Sequence, residues 1–317
     1  MIERMREDDL DAVREVDSLA FWAWARQEWG EETLRFRRTR DNVRINLAKD
    51  PEGCFVAKED GQVVGFVFSR TWGGVGWFGT FAVLPDYQGR RIGKELIAAS
   101  VEYLRRDPER VVGLETMPQS PYNLGLYTRL GFEARFPTLV LSKSLGEGVP
   151  LNAELARWSA ADAMTRARWL DELRGATGRI YPRLDYAKEI VSIAEDRQGE
   201  ALVWTWGGEA AGVSVVRLVS SVEEPQDAAA SVLVLAIDPR HTGEESLWTL
   251  TQGSEALAAA HGLEEVVLAV NARHTWALRQ LLELGYRVER MAVQLVLRGT
   301  DEGPAYDNFV DLARWAG

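Results

Sequence analysis

Apolar and polar residues along this chain fall into two alternating periodicities, period two for strands and near 3.6 for helices. Residues 2–5 read as a short strand, Arg6-Glu7-Asp8-Asp9 as a turn and cap, and residues 10–25 carry apolar side chains at helical spacing. A polar helical stretch follows through Lys49. Residues 54–57 and 63–68 then read as strands joined by the hairpin turn Glu59-Asp60-Gly61-Gln62. Residues 77–84 form a longer strand, 92–105 an amphipathic helix, 111–116 a strand, 123–130 a helix and 139–142 a closing strand. This order predicts a mixed sheet with helices on its faces.

The pattern then returns. Strands are predicted at 201–204, 212–218 and 232–237, a helix up to Ala260, a strand at 266–270, a helix at 275–284 and a strand at 292–297. The opening of this second copy is less defined. A constant offset of 154 carries Pro85 to Pro239, Gly89 to Gly243 and Gly131 to Gly285 without a gap. So long a period indicates a duplicated domain rather than a solenoid. Gly146-Glu147-Gly148-Val149-Pro150 interrupts both periodicities and is the expected linker, dividing the chain into residues 1–145 and 151–317. Near the end, 306–315 has the spacing of a short amphipathic helix.

Composition narrows the chemistry. A length of 317 residues suits two domains, and 46% hydrophobic with 27% charged residues suits an ordinary globular protein. The net charge of −11 argues against a general nucleic-acid binder and favours cationic acceptors such as polyamines, aminoglycosides, or lysine and N-terminal amines. Cys54 is the one cysteine, and His241, His261 and His274 have no metal-ligand spacing, so neither a disulfide nor a metal mechanism is expected. The first residues lack the basic and apolar regions of a secretory signal, and no apolar run approaches membrane-spanning length. The expectation is a cytoplasmic protein that binds neither nucleic acid nor membrane.

Gln88-Gly89-Arg90-Arg91-Ile92-Gly93-Lys94 lies between a strand ending in proline and an amphipathic helix. Free backbone N–H groups at a helix start, added to the helix dipole, attract an anion. Gly89 and Gly93 allow close backbone approach, and Arg90, Arg91 and Lys94 add positive charge. A pyrophosphate fits this description; the plainer reading is a solvated basic helix start. Downstream stands Tyr127-Thr128-Arg129-Leu130-Gly131-Phe132.

With these motifs in order, the sequence resembles the GCN5-related N-acetyltransferases, which transfer an acyl group from coenzyme A to an amine. Their Gln/Arg-x-x-Gly-x-Gly/Ala fingerprint matches Gln88 through Gly93, and their Tyr-x-x-x-Gly-Phe matches Tyr127 through Phe132. The resemblance implies an α/β (α+β) fold of two tandem domains of this type, each a mixed, mostly antiparallel sheet flanked by helices. It implies acetyl-CoA as cosubstrate, held by Gln88, Gly89, Arg90, Arg91, Ile92, Gly93 and Lys94, with the backbone of Phe81, Ala82 and Val83 lying along the pantetheine as if beside an added strand. Two positions depart from the family pattern. Arg91 stands where the first fingerprint glycine is usual, and Ser120 replaces an asparagine seven residues before the tyrosine, with Asn123 as the nearby substitute.

The family's mechanism has a small-molecule or peptide amine attack the thioester directly while Tyr127 protonates the departing thiolate, a role suited to a hydroxyl that keeps its proton at neutral pH. Glu115, on the strand before the tyrosine helix, is the candidate base; its alternative is a solvent-facing carboxylate. Phe21, Trp22, Trp24, Trp29, Trp72 and Trp77 are candidate walls of the acceptor pocket or, alternatively, core. Gly73-Gly74-Val75-Gly76 is either a mobile hairpin or a plain turn.

At the offset of 154, Arg90, Arg91 and Lys94 become Glu244, Glu245 and Trp248, Gly93 becomes Leu247 and Tyr127 becomes Leu281. Positive charge gives way to negative and the acid is lost, so the second domain is expected to be noncatalytic. The duplication is expected to give a monomer with an internal pseudo-dimer, or a homodimer. A nonenzymatic acyl-CoA sensor or interaction module is the competing class.

Overall fold

The computed structural model of this protein describes residues 1–30, 33–146, 155–223, 228–300 and 309–313. The first half contains strands β1 (Ile2–Arg4), β2 (Phe55–Glu59), β3 (Gln62–Trp72), β4 (Val75–Val83), β5 (Val111–Thr116) and β6 (Phe132–Ser144). Its helices are α1 (Leu10–Trp29), α2 (Arg40–Lys49), α3 (Ile92–Leu104) and α4 (Pro121–Arg129). The second half has β7 (Leu155–Arg157), β8 (Gly199–Trp206), β9 (Glu209–Arg217), β10 (Ala229–Ile237), β11 (Glu265–Asn271), β12 (Arg287–Leu297) and β13 (Val310–Asp311). Its helices are α5 (Ala163–Gly178), α6 (Ala187–Glu195), α7 (Glu244–Ala260) and α8 (Thr275–Glu283).

Local chemistry explains the boundaries. Asp60 and Gly61 both have positive φ, 48° and 80°, as the two-residue turn joining β2 to β3 requires. Thr39 caps α2 by accepting from the Asn42 amide at 3.1 Å, and Asp162 caps α5 by accepting from the Thr165 amide at 2.8 Å. The sequence pattern resolved neither β7 nor α5 and α6.

All thirteen strands join one sheet, in the order β1-β2-β3-β4-β5-β12-β6-β11-β10-β9-β8-β7, with β13 attached to β10. The centre of that order is an exchange. β12, from the second half, pairs antiparallel with β5 (Leu295 opposite Leu114) and with β6 (Ala292 opposite Thr138). β6, from the first half, in turn pairs with β11 from Thr138 opposite Asn271 to Ser144 opposite Glu265. Each half therefore lends its closing strand to the other. The expected boundary separates two repeats in sequence, but the sheet runs across it; residues 147–154, including most of the expected linker, lie outside the described residues.

Alternation along the strands sorts the core onto two faces. Phe66 and Phe68 of β3 pack with α1 and α2, while Trp77 of β4 and Val203 of β8 pack with α5 and α6 on the same face. Phe78 of β4 packs under α3 and α4, and Leu202 of β8 under α7, on the opposite face. The α1–α2 and α5–α6 pairs thus confront each other across one side of the sheet. The turn Gly73-Gly74 joins them: the Gly74 amide donates to the Arg183 carbonyl at 3.0 Å, and a Cβ on Gly73 would lie 1.8 Å from that carbonyl oxygen. This turn is a docking point between halves, away from the fingerprint.

One expectation is corrected. The described part of 306–315 is extended, not helical: Val310 and Asp311 form β13, opposite Ile237 and Ala236 of β10. The apolar spacing of Val310 and Leu312 serves a strand buried in the sheet, where backbone pairing replaces helical bonds. Residues 301–308 and 314–317 lie outside the described set.

Candidate active site

β4 and β5 are parallel and paired only from Val75 opposite Val111 to Trp77 opposite Gly113. Gly113 makes room for the Trp77 indole, whose ring atoms would lie 2.2 Å from a Cβ there. Beyond this last pair the strands part. β4 stays joined to β3 through Val83 opposite Gly65, and β5 to β12 through Thr116 opposite Val293, so the edges facing each other across the opening are unpaired. Unpaired edge backbone is ready to bond an extended guest.

The fingerprint turn stands at the outer end of β4. Gln88 Nε2 donates to the Val83 carbonyl at 3.0 Å, tying the turn to the strand. Gly89 has φ +77° and Arg91 φ +70°, so Arg91 occupies the left-handed conformation that favours glycine, at an ordinary cost of about 1–2 kcal/mol. Arg91 is the N-cap of α3, and its carbonyl accepts from Lys94 at 2.9 Å and Glu95 at 3.2 Å. Among the described residues, the amides of Gly89 to Gly93 donate to no backbone carbonyl. Arg90, Arg91 and Lys94 are exposed around them, Arg90 stacking on Tyr87 at 4.9 Å, while Ile92 is buried and anchors the helix. A Cβ on Gly93 would lie 3.2 Å from Phe81 Cζ, so a larger side chain there would have to displace the Phe81 ring.

Tyr127, on the inward face of α4, is 5% exposed and its ring meets Phe78 and Phe132 at 6.1 and 6.2 Å. Phe78 is the first residue of β4 past the last paired position, which puts the tyrosine at the inner end of the opening. Burial alone pushes its hydroxyl well above the usual phenol range. Ser120 is used as the N-cap of α4, accepting from the Asn123 amide at 3.4 Å, and Asn123 is half-buried beside it.

Glu115 points elsewhere. Its neighbour Leu114 packs in the core with Tyr127, so the carboxylate faces the opposite side of the sheet. It accepts from Thr138 Oγ1 at 2.6 Å and lines a cavity of about 10 Å³ with Gln294, Asn271 and His274 of the second half. The structure sets the fingerprint turn and Tyr127 at the two ends of one opening and turns Glu115 to the other face of the sheet.

The second half repeats the opening but fills it. β10 and β11 pair only from Ala229 opposite Glu265 to Ser231 opposite Val267. Past that point β13 bonds β10: the Leu312 amide donates to the Leu235 carbonyl at 2.8 Å, and the Leu235 amide to Leu312 at 3.1 Å. Leu235, Ala236 and Ile237 are the counterparts of Phe81, Ala82 and Val83. The helix start is also satisfied internally, since the Gly243 amide donates to Ser246 Oγ at 3.0 Å. Leu247 and Leu281 are fully buried in the core.

Between the confronted helix pairs lies a cavity of about 580 Å³. Phe21, Trp22, Trp24, Trp29 and Trp72 line it, together with Met117 and Gln119 from the end of β5, whereas Trp77 is core. Its polar floor was not found from sequence. Arg38 donates to Asp17 at 3.1 Å and to Thr80 Oγ1 of β4 at 2.6 Å, tying this floor to the strand that opens. Lys49 pairs with buried Glu189 of α6, which also accepts from Trp72 Nε1 at 3.2 Å. Arg70 and Arg217 also face the cavity.

Comparisons agree with this geometry. Residues 16–132 match the model of the acetyltransferase (GNAT) family. An uncharacterized N-acetyltransferase of Archaeoglobus fulgidus is 30% identical over 127 residues, 36% of this chain and 79% of that protein. A mycothiol acetyltransferase of Acidimicrobium ferrooxidans is 30% identical over 131 residues, 39% of this chain and 40% of its own length. The chain spans about half the length of the first curated relatives it matches, between 40% and 61%. A solved tandem GNAT protein from the clavulanic acid biosynthesis pathway superposes with a TM-score of 0.58 at 18% identity, covering 96% of this chain and 99% of that one, a likeness of fold. The parted strands, the open helix start and the tyrosine helix thus coincide with a matched family model and a relative covered over most of its length: the chain belongs to the acetyltransferase (GNAT) family.

Proposed function

We propose that the protein transfers an acetyl group from acetyl-CoA to an amine in its first half, while its second half is noncatalytic and walls the acceptor pocket. The observation that carries this reading is the opening between β4 and β5, with an unpaired strand edge on one side and free amides ringed by Arg90, Arg91 and Lys94 at its outer end. Pantetheine would lie along Phe81, Ala82 and Val83, the pyrophosphate on the Gly89–Gly93 amides, and the thioester near Tyr127.

In the reaction the amine nitrogen forms a bond to the thioester carbonyl carbon and the carbon–sulfur bond breaks. Tyr127, kept protonated by burial, donates its proton to the thiolate, the nitrogen releases one to water, and the tyrosinate takes a proton back from water. Glu115 lies on the face of the sheet that carries the acceptor cavity, but its carboxylate accepts from Thr138 and lines a separate small cavity, so the base role does not fall to it. The second half has neither vacancy nor donor: β13 occupies the matching edge, and Leu281 stands where the tyrosine would be.

Calorimetric titration with acetyl-CoA tests the assignment. Wild type is expected to bind one equivalent per chain, and Gly93→Leu, which copies the second half, to bind about a hundredfold more weakly because the larger side chain displaces the Phe81 ring. Two equivalents, or unchanged binding by the variant, would overturn the choice of working site. Binding with no thiol release in the presence of any amine would favour a sensor.

A further inference from the structure

The offset of 154 relates β4 to β10, β5 to β11 and α4 to α8, but it fails one strand earlier. The hairpin pair Glu59–Gln62 corresponds to Trp206–Glu209, an offset of 147. With that correction Arg70 of β3 is the counterpart of Arg217 of β9. Sheet register agrees, since Arg70 lies opposite Trp77 and Arg217 opposite Ser231, and Trp77 and Ser231 are themselves related by 154. The repeat therefore delivers the same arginine twice, once from each half, to one cavity.

Among the described residues neither arginine has a carboxylate within ion-pair distance, and Glu189 attracts both at longer range. Arg70 donates to Asn46 Oδ1, while its Nε is buried without a partner. Arg217 donates to Ser231 Oγ at 3.2 Å. The carboxylates lining the same space are committed to other cations: Asp17 to Arg38, Glu189 to Lys49 and Asp196 to Arg44. Arg290 of β12 adds a further cation to the lining, attracted by Glu115 at longer range. Burial and repulsion from Arg38 and Arg70 push Arg217 down to about 10. Positive charge held together at this cost in a water-poor space is stabilised by an anionic guest.

Resting on the acetyltransferase reading above, we propose that Arg70 and Arg217 form an oxyanion clamp that holds a carboxylate or phosphate carried by the acceptor, so that the acceptor is an amine with an aromatic or apolar body and an anionic group. The rings of Trp22 and Trp24 supply apolar lining for the body, and Arg38, bonded to Thr80, connects the clamp to the opening where the amine would meet the thioester. This replaces the expectation of a cationic acceptor drawn from net charge. The chain is acidic overall, but the cavity has a surplus of cations among the described residues.

The probes are 3-phenylpropionate, phenyl phosphate and neutral 3-phenylpropionamide, titrated calorimetrically into wild type, Arg217→Gln, Arg217→Lys and Arg70→Gln, with an acetyl-CoA titration of each. At least one anion is expected to bind wild type at least tenfold more tightly than the amide, and the preferred anion identifies the acceptor's group. Both glutamine variants should lose that preference and Arg217→Lys should keep part of it, while all bind acetyl-CoA like wild type. Equal binding of amide and anions, no anion binding by wild type, or preference unchanged in the variants would overturn the clamp. Failure of acetyl-CoA to bind wild type would instead remove the acetyltransferase reading and leave anion binding as a separate result.

Discussion

The two halves share a strand-and-helix plan, yet one leaves an open edge and the other closes it from its own chain. In the first half the β4 edge at Phe81, Ala82 and Val83 faces a gap; in the second, Leu235, Ala236 and Ile237 face β13. The same divergence appears at the helix start, free around Gly89–Gly93 and self-capped at Gly243. A parted pair of parallel strands leaves backbone groups that require partners. A cosubstrate that mimics a strand and a real strand are alternative ways to supply them. On the reading proposed above, loss of ligand chemistry in one copy and gain of a plug are two sides of one change, and the second copy serves as wall and strand donor.

The largest effect that would sharpen this contrast is on turnover. Tyr127→Phe removes the proton donor but keeps the ring against Phe78 and Phe132, so turnover should fall about a hundredfold with acetyl-CoA affinity unchanged. Thiol-release kinetics beside calorimetry would measure both, and unchanged turnover would end the acid role. Next comes the plug itself. Leu312→Pro deletes the amide that bonds Leu235, and should lower stability by about 3 kcal/mol in urea unfolding. No second acetyl-CoA site should appear, because Leu247, Glu244 and Glu245 still stand at the helix start. A second equivalent bound by this variant would show that occupancy of the edge, rather than the chemistry of the turn, closes the second half.

A pH-dependent effect concerns the charge carried by the plug. Asp311 of β13 is buried and accepts from the Tyr186 hydroxyl at 2.8 Å, and burial pushes its carboxyl up to about 7. The unfolded carboxyl releases its proton near pH 4, so the folded state holds more protons between about pH 4 and 7. Its contribution is therefore full below pH 4, falls as pH rises by at most about 1.4 kcal/mol per unit, and is level above pH 7. Neutral, buried His274, pushed down to about 3, acts in the opposite sense, costing stability as pH falls below about 6.5. Asp311→Asn should consequently lose less stability than wild type between pH 5 and 7 in urea unfolding. Equal losses would place the proton elsewhere.

Much of the working site was legible because its parts are local. Strand, turn and helix from Phe81 to Lys94 are consecutive, and Tyr127 lies on the next helix, α4, with Gly131 and Phe132 just past its end, so motif spacing carries the geometry. The α5–α6 segment was not legible, since α5 buries Trp169, Leu173, Ala176 and Thr177 with little amphipathic contrast and α6 is nine residues long. The final strand was misread because a few apolar residues at mixed spacing suit either periodicity until a partner strand is present.

The sequence by itself determined the duplication, the α/β class, the strand, turn and fingerprint of the first half, and the loss of those residues in the second, because each motif is a short run of neighbouring residues that can be compared between repeats. Only the tertiary structure decided the exchange of β6 and β12, the turning of Glu115 to the far face, the filling of the second opening by β13 and the meeting of Arg70 with Arg217. Those outcomes depend on pairings distant along the chain, such as Ile237 with Val310 and Thr116 with Val293, on the partners each strand face meets, or on a register shift of seven between repeats.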